Sequence, residues 1–138
     1  MAEHDVTFTA IERDTGERLQ GLRAALGVSS FGINRLTFQP RQRGRIHAHE
    51  RQEEVYVVLE GELTLLIEGE EHKLGPDAVV RVGPSVRRQL HNTGPQRLVV
   101  LALGGCGEHA GRDGRAWAAW KDSGPGVSPQ DVPIPEDA

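Results

Sequence analysis

The chain has 138 residues, 37% of them hydrophobic and 26% charged, with a formal net charge of -4. That length suits one domain with its own core and is short for two. The acidic balance and the absence of a clustered basic stretch argue against a nucleic-acid partner, since Arg35–Arg51 is interleaved with Glu50 and Glu53. A lone cysteine, Cys106, rules out an internal disulfide. The longest apolar runs, near Val55–Leu59 and Leu98–Leu103, are too short to cross a bilayer. Residues 1–14 are polar and mixed, with no basic segment leading into an apolar one, so a cytoplasmic protein is expected.

In chain order, Leu19, Leu22 and Leu26 fall at helical spacing before Gly27, which predicts a short helix or an irregular arm. Short apolar runs cut by Gly and Pro follow. They predict strands at Phe31–Gln39, Arg45–His49, Val55–Leu59, Leu63–Glu68, Ala78–Val82, Arg87–His91 and Leu98–Leu103. Turns are expected at Glu60-Gly61-Glu62, Glu68-Gly69-Glu70, Leu74-Gly75-Pro76-Asp77 and Asn92-Thr93-Gly94-Pro95. Many short strands with regular turns indicate an all-β sandwich or barrel. A Gly-rich loop then leads to Trp117 and Trp120, whose i, i+3 spacing predicts a C-terminal helical turn. Residues 123–138 are rich in proline and acidic side chains, which predicts an extended or disordered tail. The expected organisation is therefore one domain over 1–138, with the barrel at about 28–104.

Chemistry concentrates in His47-Ala48-His49 and Glu54. On a strand, His47 and His49 share a face. Glu54 opens the following strand, which is expected to pair with the first, and Tyr56 and Val58 share its face. Two imidazoles and a carboxylate suit a divalent first-row metal and leave coordination positions open. Glu53 should face away.

This segment resembles the first motif of the cupin superfamily: His-x-His, three or four residues, Glu, six residues, Gly. His47, His49, Glu54 and Gly61 fit without an insertion, although Arg41 stands where a glycine usually precedes the first His. The second motif, Pro-x-Gly-x-x-His-x-x-x-Asn, matches at Asn92 and places Arg88 at the ligand His; a one-residue slip would place Gln89 there. Arginine cannot ligate a metal.

The resemblance implies a jelly-roll double-stranded barrel, a divalent metal (Fe, Mn, Ni or Zn) at His47, His49 and Glu54, and a homodimer. An inward Arg88 would either pair with Glu54 or, with Tyr56 and Gln89, orient a small acidic or phosphorylated substrate. The expected function is small-molecule binding with metal-dependent oxygenase, isomerase or lyase chemistry. The alternative is a non-catalytic sensor or sugar-binding cupin. No membrane or nucleic-acid partner is expected. Asn92 is read as fixing its turn, Cys106 as non-catalytic, and His4, His72 and His109 as surface residues, with His91 facing outward.

Overall fold

The computed structural model describes residues 4–105 and 113–137. Cys106 and His109 lie outside them. The strands are β1 (Leu19–Gly21), β2 (Gly32–Phe38), β3 (Ile46–His49), β4 (Glu53–Glu60), β5 (Leu63–Ile67), β6 (Glu70–Leu74), β7 (Val79–Val82), β8 (Arg88–His91), β9 (Leu98–Gly105) and β10 (Gly114–Trp117). They form two antiparallel sheets, ordered β1-β2-β9-β4-β7 and β10-β3-β8-β5-β6. The sheets pack face to face as a jelly-roll barrel.

Side-chain alternation builds the core. Phe38, Tyr56, Val58, Leu98, Val100 and Ala102 point inward from the first sheet and meet Leu63, Leu65 and Leu90 from the second. Two turns show how local chemistry sets register. Glu68 and Gly69 both have positive φ, 49° and 83°. That is the two-residue hairpin geometry whose twist matches the flanking strands, and it pairs Ile67 with Glu70. Gly61 has φ of 80°, and a Cβ at that position would collide with the Arg97 carbonyl. No other residue fits the site's spacing without moving β9.

The short N-terminal helix is a single turn, α1 (Arg23–Leu26), and Leu19 is taken into β1 opposite Leu36. Three expectations change. β6 is a strand that the sequence reading missed. Trp117 ends a strand rather than a helical turn, since β10 pairs Ala116 with His47, and Trp120 lies in the turn that follows. Finally, the proline-rich tail is packed. Val127 bridges Ala116, residues Pro129–Asp131 make one 3-10 turn, and Val132 is buried. Backbone pairing and one apolar anchor outweigh the composition of this segment.

Candidate metal centre

β3 and β4 do not pair, contrary to the expectation from sequence. They belong to different sheets and face one another across the barrel. Asp113 turns the chain between them: its Oδ2 accepts the amides of Arg51 and Gln52 at 2.9 and 2.8 Å. Glu54 therefore approaches the two histidines from the opposite wall.

His47 Nε2 lies 3.8 Å from Glu54 Oε1, and His49 Nε2 lies 3.6 Å from Oε2. The imidazoles stand edge to face, with centroids 5.5 Å apart. One donor atom from each of the three residues falls within 4.8 Å of the others. His47 Nδ1 sits 3.1 Å from the Arg45 carbonyl. That contact fixes the orientation of the ring and turns Nε2 toward Glu54. Metal–ligand bonds of about 2.0–2.2 Å separate tetrahedral donors by about 3.4 Å. The residues present thus fit a divalent ion.

The carboxylate is braced from behind. Tyr56 Oη donates to Glu54 Oε1. Arg88 is fully buried and spends its whole fork on the interior: Nε on Tyr56 Oη at 3.3 Å, Nη1 on the Val86 carbonyl at 2.7 Å, and Nη2 on Glu54 Oε1 at 3.4 Å. Burial pushes the Glu54 carboxyl up, but the polar and charge contacts with His47 and His49 outweigh it and hold the group well below the usual carboxylate range. Burial and the neighbouring Glu54 charge push the Tyr56 hydroxyl well above its ordinary value, so it stays protonated.

These residues border a cavity of about 280 Å³, whose walls include Leu36, Phe38, Tyr56, Leu90 and Pro129. The structure brings His47, His49, Glu54 and Tyr56 together there. Arg88 faces inward but lies beneath Glu54 and Tyr56, so the substrate-orienting role read from sequence does not fall to it. Gln89 points to the other side of β8, where it donates to the Gly44 carbonyl and accepts from Trp120 Nε1; it is not part of the cavity wall. Glu53 faces solvent and pairs with Arg81 at 2.8 Å. Asn92 ties its turn to the Phe38 and Gln96 carbonyls. Sequence reasoning missed Arg45, Asn34 and Pro129 as cavity residues. Arg45 was findable by alternation from His47; Pro129 was not, because it arrives from the tail.

A family model described as the cupin domain, Cupin_2, matches residues 34–104. A cupin protein from Bacteroides fragilis superposes with a TM-score of 0.67 at 18% identity, covering 78% of this chain and 87% of that one. A proposed sugar phosphate isomerase from Acidithiobacillus ferrooxidans gives 0.61 at 26% identity, over 69% of this chain and 60% of its own length. The Cupin_2 domain of an XRE family transcriptional regulator from Enterobacter cloacae gives 0.58 at 24% identity, over 63% and 93%. No curated protein matches the sequence.

Proposed function

The chain belongs to the cupin family, and from that premise we propose that it binds a small molecule in the barrel beside a divalent metal held by His47, His49 and Glu54. The observation that carries this reading is the convergence of two imidazole Nε2 atoms and a braced carboxylate on one cavity. A bound divalent ion would supply Lewis-acid polarisation or, if it were iron, oxygen chemistry. The similarity to the proposed isomerase from A. ferrooxidans favours isomerisation over the oxygenase and lyase alternatives.

The chain's own residues have separable tasks. Glu54 stays ionised with Oε1 engaged by Tyr56 and Arg88, which leaves Oε2 toward His49. Tyr56 keeps its proton on Oη and so orients the carboxylate without adding charge. The apolar walls reduce the water within reach of the site, which strengthens each of these contacts.

Metal content by inductively coupled plasma mass spectrometry tests the proposal, using untagged chain purified without chelator. Near-stoichiometric metal that disappears in a His47→Ala/His49→Ala variant is expected. Failure to hold any divalent ion after reconstitution overturns it. One observation favours a second reading: Arg88 Nη2 approaches Glu54 Oε1 as an ion pair would. In a metal-free binding module, His47→Ala would leave ligand affinity intact.

A further inference from the structure

The cavity wall carries a cation to which the site has given no task. Arg45 precedes His47 by two residues and His49 by four, so strand alternation turns all three the same way. All three border the same cavity. Arg45 Nε donates to the Val132 carbonyl at 2.6 Å. Among the described residues, neither of its Nη atoms has an acceptor, and no carboxylate pairs with it. Arg35 is fully buried with Nε and Nη2 unpartnered, but it does not border this cavity; several other arginines are committed. Arg88 uses its whole fork on the interior, while Arg81, Arg87, Arg97 and Arg115 pair with Glu53, Glu68, Glu60 and Glu50. Arg18 lies over the Phe38 ring and donates to the Arg43 carbonyl, and the charge of Asp137 acts on it.

We infer that Arg45 receives the anionic group, a carboxylate or a phosphate, of the small molecule bound beside His47, His49 and Glu54. This rests on the reading of the cavity as a small-molecule site. A solvated arginine samples many rotamers, whereas this one is fixed through Nε. Its two remaining nitrogens therefore form a preorganised fork that matches two oxygens of an anion. The same-face spacing of about 7 Å per two residues places the fork one strand step from His47. A single small molecule can span both. Asn34, which also borders the cavity, supplies a neutral amide for the rest of the ligand.

The test titrates the full chain with inorganic phosphate and, separately, with glycolate, following amide chemical shifts in low-salt, phosphate-free buffer. Wild type should show saturable binding of at least one probe, and the stronger of the two assigns phosphate or carboxylate. Arg45→Gln should weaken it about ten-fold or more, the scale of losing charge-assisted hydrogen bonds. Arg45→Lys should fall between, because a point charge keeps attraction without the fork. Arg18→Gln should change it by no more than about two-fold.

Metal content is measured on every variant. Retention of metal by Arg45→Gln with loss of anion binding supports the assignment. The inference is overturned by unchanged binding in Arg45→Gln, by equal losses in Arg18→Gln and Arg45→Gln, by no saturable binding in wild type, or by a fall in melting temperature that Arg45→Lys shares. Absence of metal in every chain breaks the metal-centre reading while leaving the anion result to stand by itself.

Discussion

The barrel interior carries two surfaces of opposite character, an open wall and a closed wall, that meet where His47 of β3 pairs with Arg88 of β8. Along β3 and the start of β4, His47, His49 and Glu54 turn their donor atoms onto the cavity. Along β8, Arg88 occupies the corresponding inward position and is sealed off by Tyr56, Val86 and Glu54. One wall presents donor atoms to the cavity and the other holds a charge in place. The position that the second cupin motif gives to histidine holds a buried arginine here. A permanent cation, fully hydrogen-bonded, can brace the remaining carboxylate instead.

Breaking the closed wall should have the largest effect. Arg88→Ala leaves the Val86 carbonyl and Tyr56 without their buried donor, and is expected to cost about 3–5 kcal/mol in chemical denaturation. Arg88→His should convert the closed wall into an open one. It adds an imidazole facing the other two, so metal should survive chelator dialysis longer than in wild type.

Tyr56→Phe probes the joint between the walls. It removes the hydroxyl that donates to Glu54 and accepts from Arg88, with an expected loss of about 1–3 kcal/mol by the same assay.

A smaller, pH-dependent effect belongs to His91, at the end of β8. Burial, together with the nearby Arg43 charge, lowers its pKa. The unfolded chain, with a histidine pKa of about 6.5, then binds more protons in the window just below that value. Stability should therefore rise with pH through this window and be lost as pH falls, and His91→Gln should flatten the slope in denaturation midpoints taken across it.

The smallest effect lies at the far end of β4. Arg97 lowers the pKa of the half-buried Glu60. Its contribution is present above about pH 4.5 and lost as pH falls through the depressed value. Glu60→Gln should lower the neutral-pH midpoint slightly and leave the midpoint in strong acid unchanged, which flattens the dependence between them.

Much of the open wall was legible in the sequence, because ligation restricts residue types and strand geometry restricts their spacing. His47, His49, Glu54 and Gly61 state both at once. The strand run from Gly32 to Leu103 was legible for a similar reason, as apolar alternation is broken by turn residues that need positive φ. What failed has a common cause. β6 reads Glu-Glu-His-Lys-Leu and is exposed along most of its length, so no apolar alternation marks it; only pairing to β5 makes it a strand. Trp117 and Trp120 have helical spacing, yet the open edge of β3 takes residues 114–117 as a partner. Nor could alternation say that Glu54 would face the histidines from across the barrel, because that depends on the crossing fixed by Asp113. Tertiary pairing decided each case against the local pattern.

The tail carries a consequence for mutational tolerance. Its fastenings to the barrel are main-chain groups: the Val127 amide and carbonyl to Ala116, the Val132 carbonyl to Arg45, and the Glu136 carbonyl to Arg43. Such anchors are indifferent to side-chain identity. Substitutions along the exposed tail can therefore accumulate without displacing the cavity's rim. Pro129, which borders the cavity, Val132, which is buried, and Gly126, where a Cβ would collide with Trp117, tie the tail's sequence to the barrel.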